Sequence, residues 1–185
     1  MKFSMKMVLS TMIVLALALG FSGFYFVNYV FETSLDREVG QAIDESSILG
    51  FAFETAALNV PLKYSVLPDS VVEEIASKLE IGGQSGGRLL RIADEEKNIL
   101  YTSGGFTADE GVLLQSDQHT KSYRVIRAQE RYYVHTCVSI NALNRILYLE
   151  TMKDVTGVFT ERALGFSLYR KVTLVMLLTG MVIML

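Results

Sequence analysis

Two histidines and a single cysteine bound the chemistry open to this chain of 185 residues. His135 and Cys137 stand two positions apart in a stretch with strand-like alternation, so both project from one face of a strand. A metal centre needs three or four such donors, so no metal ion is expected here. The pair reads as a partly exposed strand face, with a small-ligand pocket as the alternative. The opposite set, Tyr132, Val134, Thr136, Val138 and Ile140, reads as the core face.

Five arginines, Arg88, Arg91, Arg124, Arg127 and Arg131, gather near Tyr101, Tyr123, Tyr132 and Tyr133. Guanidinium groups bind carboxylates and phosphates bidentately, so Arg88, Tyr101, Arg124, Tyr132 and His135 are the candidate ligand-binding residues, for an anionic small molecule. The competing reading is a solvated sheet face balanced by Asp94, Glu95, Glu96 and Glu130. Gly83-Gln84-Ser85-Gly86-Gly87 matches the Gly-x-Ser-x-Gly string of a hydrolase nucleophile elbow, but that chemistry requires a strand before the serine and a helix after it. Here the order is reversed. The segment reads as a loop, and no residue is assigned a catalytic role.

These side chains need elements to hold them. From Glu32 to Leu58 no proline intervenes, and Leu35, Val39, Ala42, Ser46, Leu49, Phe53 and Ala56 recur at alternating spacings of four and three, a heptad seam on one helix. The seam serves either the chain's own domain or a parallel homodimer. The helix stops at Asn59-Val60-Pro61. Asp69 or Ser70 caps a second helix whose apolar residues are Val71, Val72, Ile75 and Leu79. Five strands follow: Arg88 to Ala93, Ile99 to Thr102, Lys121 to Ala128, Arg131 to Ile140 and Arg145 to Met152. A helix from Val155 to Lys171 closes the series.

The remaining apolar residues are gathered at the ends. Met7 to Phe31 is 25 residues without a charge, and Val172 to Leu185 is another 14. The first run would span roughly 37 Å as a helix, more than the ~30 Å hydrocarbon core. It reads as a transmembrane anchor rather than a cleaved signal peptide, because it continues about a dozen residues past Ala16-Leu17-Ala18. Lys2 and Lys6 on one flank, with Glu32 and Asp36 on the other, place the N-terminus in the cytoplasm, although Arg170 and Lys171 mildly oppose that orientation. With Lys2 and Lys6 set aside, 15 of the 17 basic residues face all 20 acidic ones in the middle segment, a balance that argues against a nucleic-acid partner. The expected organisation is residues 1–6 cytoplasmic, 7–31 a first transmembrane helix, 32–171 an extracytoplasmic domain, and 172–185 the start of a second transmembrane helix that leads to a cytoplasmic continuation.

The whole is an α+β arrangement: a long N-terminal helix and an antiparallel sheet of about five strands, flanked by two transmembrane helices. Its closing segment, Leu147-Tyr148-Leu149-Glu150-Thr151-Met152-Lys153-Asp154-Val155-Thr156, is a last strand that ends in Asp-Val-Thr before a helix. Asp154, Val155 and Thr156 resemble the signal-exit motif of PAS domains, and the layout resembles the PAS-like or Cache-like sensing domains of bacterial two-component sensor histidine kinases. The resemblance implies a multi-pass protein of the bacterial cell membrane that senses an external small molecule or peptide and signals through its second membrane helix. ATP and Mg would belong to a cytoplasmic kinase part, with a response regulator as partner; this segment itself has neither a phosphoacceptor histidine motif nor a nucleotide-binding glycine box. A homodimer is expected, with Leu35, Val39, Ala42, Leu49 and Phe53 as its seam. A chemoreceptor, a cyclic-dinucleotide enzyme or a non-signalling membrane-anchored binding domain would share the same input layout.

Overall fold

The computed structural model describes residues 3–60, 66–82, 89–107, 110–116 and 121–184. Arg88, His119 and the Gly83–Gly87 string lie outside them. The chain order is α1 (Phe3–Leu58), α2 (Asp69–Gly82), β1 (Leu89–Ala93), β2 (Ile99–Thr102), α3 (Glu110–Gln115), β3 (Ser122–Ala128), β4 (Arg131–Ala142), β5 (Arg145–Asp154) and α4 (Thr156–Met184). These elements divide between two units, residues 37–156 and the pair of segments 1–36 and 157–185.

In the first of these units the five strands form one antiparallel sheet in the order β2-β1-β5-β4-β3. The α+β class and the five-stranded sheet agree with the sequence reading. Two-residue turns close the β3–β4 and β4–β5 hairpins. Gln129 and Glu130 in one, and Leu143 and Asn144 in the other, all have positive φ, the backbone that matches the twist of paired strands. Alternation sets the core: Leu90, Ile92, Val138, Ile140, Leu147 and Leu149 point to one sheet face and bury Phe53 and Ala57 of α1 with Val72, Ile75 and Ala76 of α2. Gly50 permits this approach, since a Cβ there would stand 2.9 Å from Ile140 Cγ2.

The heptad seam therefore has an owner over its later part. Ala42, Ser46 and Phe53 are buried, and Leu49 and Ala56 pack against the core of their own unit. The opposite stripe of the same helix, Ile48, Phe51 and Leu58, is exposed. The second helix begins at Asp69 itself, whose carboxylate takes a 2.5 Å hydrogen bond from Arg145. The Pro68 carbonyl accepts its first backbone bonds, from Val71 and Val72.

The other unit pairs the first part of α1 with α4, antiparallel. The Tyr169 hydroxyl donates to the Leu19 carbonyl, and the Tyr169 ring occupies the space that a side chain at Gly23 would need. Further along, Phe24 meets Phe166 and Phe31 meets Phe159, at ring separations of 5.9 and 5.1 Å. Arg162 donates to Asn28 Oδ1 at 2.7 Å, and its guanidinium lies over the Phe31 ring at 4.4 Å. Both helices are long and apolar enough to cross a membrane, and only 6% and 0% of their most apolar windows is buried within the chain.

Candidate functional site

Register builds the site on the sheet face opposite the apolar core. Directly opposed residues share a face, so Arg91, Glu150, Cys137 and Ser122 form one row across β1, β5, β4 and β3, while Leu89, Met152, His135 and Arg124 form the next. Glu150 is fully buried and is held from two sides. Arg91 Nε and Nη2 donate to its two oxygens at 2.5 and 2.9 Å, and His135 Nε2 lies 2.9 Å from Oε1. Burial alone would raise the Glu150 pKa; the hydrogen bonds from His135 and Arg91 outweigh it and hold the carboxyl below its usual range. An ionised carboxylate only accepts, so His135 Nε2 carries the proton. The other ring nitrogen, Nδ1, is buried and has no hydrogen-bond partner among the described residues.

A loop covers this cluster. Ser103 ties it to β1: the Ser103 hydroxyl accepts from the Leu90 amide at 2.5 Å and donates to the Leu90 carbonyl at 2.7 Å. The chain then turns through Gly105 at φ +85°, a backbone conformation that a side chain disfavours, and Phe106 returns over the sheet. Its ring meets His135 edge-on at 5.7 Å, and Arg91 stands 5.0 Å from its centroid. Next along the face, Val112 and Leu113 of α3 pack on Ala93, Cys137 and Tyr148. Lys97 sits over the Tyr148 ring at 3.1 Å and donates to the Ser116 carbonyl.

Two expectations are corrected by this cover. His135 and Cys137 do share a face, but it is not partly exposed: both residues are at 0%, because Phe106 closes over His135 and Val112 and Leu113 over Cys137. The candidate ligand residues also divide between faces. Arg124 stands opposite His135 at the exposed β3 edge, whereas Tyr101 and Tyr132 point to the core side, Tyr101 toward Glu80 of α2 and Tyr132 toward Arg127. Burial, with Glu80 adding to it, pushes the Tyr101 hydroxyl up to about 12. Of the remaining arginines, Arg127 pairs with Glu130 and Arg131 with Asp154, the balanced surface that was the competing reading.

The residue that sequence reasoning missed is Glu150. A lone carboxylate in Leu147-Tyr148-Leu149-Glu150-Thr151-Met152 is the signal that could have found it, because a buried strand admits a charge only with a partner. Burial pushes the Cys137 thiol up to about 12, so it is neutral and a poor nucleophile. Among the described residues, no group of three His, Cys, Asp or Glu side chains could hold a metal ion.

Four residues beyond Glu150 on the same strand lies Asp154, which opens the Asp154-Val155-Thr156 segment. Asp154 Oδ1 accepts from the Thr156 amide at 2.8 Å, the Thr156 hydroxyl accepts from the Tyr132 amide at 2.9 Å, and the Val155 amide donates to the Tyr132 carbonyl at 2.8 Å. Burial alone would raise the Asp154 pKa; hydrogen bonds from Thr156, followed by the charge and hydrogen bond of Arg131, outweigh it and lower it. Sequence comparison with known proteins finds no matching family model and no matching curated protein.

Proposed function

We propose that the chain is the signal-input region of a membrane-bound sensor histidine kinase. In this reading the sheet domain between the two apolar helices lies outside a bacterial cell membrane, and α4 conveys the signal to a cytoplasmic kinase with its ATP, Mg and response regulator. The observation that carries the reading is the linkage along β5. Glu150 anchors the buried ion network in mid-strand, and the strand ends in Asp154-Val155-Thr156, fastened to β4 at Tyr132 and continuing as α4 after one residue. A stimulus that displaces Phe106 and engages the orphan His135 Nδ1 would favour a second packing of this network. A ligand shifts such an equilibrium only by its differential affinity for the two states, and shifts of ~1–2 Å at an interface are of the size such switches use. The α+β sheet, the long preceding helix and the two apolar helices all fit a PAS-like module between membrane spans.

The homodimer that goes with this reading uses the exposed stripe of α1, Ile48, Phe51 and Leu58, because Phe53 already fills its own core. Phe51→Cys should crosslink copies in membranes.

The test uses the full-length protein in membrane vesicles with labelled ATP. Glu150→Gln should shift basal histidine phosphorylation several-fold. Two glycines inserted between Gly157 and Val158 should leave the domain folded and erase that shift. Absence of phosphohistidine, or an unchanged Glu150→Gln effect after the insertion, rejects the kinase or the rigid coupling, respectively.

A further inference from the structure

The helix pair formed by α4 and the first part of α1 has a groove of about 780 Å³, a size typical of ligand sites. Its walls are not uniform along α4. Ser167, Arg170 and Thr173 line one stretch, and Leu177, Leu178 and Met181 the next. A cation and two hydroxyls thus stand above an apolar trough.

The register of the pair fixes how deep that cation lies. Phe159 is level with Phe31, the last uncharged residue of the first apolar run, and Arg170 follows roughly 16 Å further along α4. Were the hydrocarbon edge at Phe31, Arg170 and Lys171 would lie about halfway through a ~30 Å core, where cations are strongly disfavoured. An edge near Phe24 and Phe166 removes the conflict. The 18 residues of α1 from Met7 to Phe24 still span about 27 Å of the core, and the exposed Phe21, Tyr25 and Phe26 rings lie at the interface that aromatic residues favour. Arg170 and Lys171 then reach up about one turn to the phosphate layer, as long basic side chains do. No acidic residue follows Glu161, so α4 carries no carboxylate at that level, and Glu32 and Asp36 lie further out along α1.

We propose that this groove binds an anionic phospholipid, its phosphate on Arg170 with Ser167 and Thr173, and an acyl chain laid along Leu177, Leu178 and Met181. Charge complementarity selects the head and the apolar trough the tail. The inference rests on the reading of both helices as membrane spans. Occupancy would brace the exit helix, so the lipid composition of the outer leaflet becomes an input beside the external stimulus.

The chain is reconstituted in nanodiscs of phosphatidylcholine with increasing phosphatidylglycerol, and the lipids retained on it are counted by native mass spectrometry. Phosphatidylglycerol should be retained preferentially. Arg170→Gln should cut that preference about fivefold, the size expected for one basic residue at a membrane surface, and Arg170→Lys should restore most of it. Leu178→Trp, which fills the trough, should lower retention of both lipids. Equal retention of the two lipids by the native chain, no loss with Arg170→Gln, or a dimer that emerges with the groove free of lipid overturns the inference. Failure of the membrane reading shows separately, as extraction from phosphatidylcholine vesicles at alkaline pH.

Discussion

The two faces of the sheet are covered by different means. On one, Phe53, Ala57, Val72, Ile75 and Ala76 from two helices fill the space above Leu90, Ile92, Leu147 and Leu149 with hydrocarbon. On the other, Arg91, Glu150 and His135 form a buried charged network under Phe106, with α3 packed beside it on Ala93, Cys137 and Tyr148. Apolar packing is non-directional, and its worth follows the area and contacts it buries. A buried ion pair is directional, and loses much when one partner moves. The helix-covered face holds the fold, and the loop-covered face is where a modest displacement has a large energetic consequence.

Substitutions can break that contrast, measured by denaturant unfolding of the chain in detergent and followed by circular dichroism. Phe53→Ala should cost the most, roughly 3–5 kcal/mol, because the cavity it leaves lies under a long helix with little room to collapse. Arg91→Met should come next at about 3 kcal/mol, since it strands a buried carboxylate. Adding Glu150→Gln to Arg91→Met should return most of that loss, as the amide oxygen still accepts from His135 and no charge remains buried. Failure of this rescue would show that the polar face acts by shape rather than charge. Gly50→Ala should cost about 2 kcal/mol by forcing α1 off Ile140. Asp154→Ala should cost about 1 kcal/mol of cap energy.

Acid sharpens the same comparison. The folded Glu150 carboxyl is held below its unfolded value, so its contribution is complete above the unfolded pKa of about 4.3 and is lost as pH falls through the lower folded value. Unfolding free energy should therefore drop below about pH 4.3, and Glu150→Gln should flatten this dependence. An equal acid slope in both proteins would show that Glu150 does not report on folding.

Much of the fold is legible in the residues. The alternation that places Val138 and Ile140 inward, the turn at Gln129-Glu130 and the strand boundaries at Ile99–Thr102 and Arg145 follow from local pattern, because strands with one apolar face allow a single register. The short helix Glu110–Gln115 left no such trace: six residues are too few for a period to emerge. The heptad on α1 was legible as a stripe but not as to its partner. Two stripes run along that helix, and only burial shows that Phe53 belongs to the sheet while Phe51 faces out.

The sequence alone determined the long helices and the five strands, the apolar ends, the break between strand and helix at Asp154-Val155-Thr156 and the sharing of one strand face by His135 and Cys137, all consequences of periodicity and short-range sterics. The tertiary structure alone decided that this face is buried, that Arg91 and Glu150 meet across 59 positions of chain, and that Arg170 lies level with Leu19 and Gly20, inside the first apolar run. Such pairings depend on strand order and helix register, which are set by the sum of many distant contacts and leave no mark in the spacing of neighbouring residues.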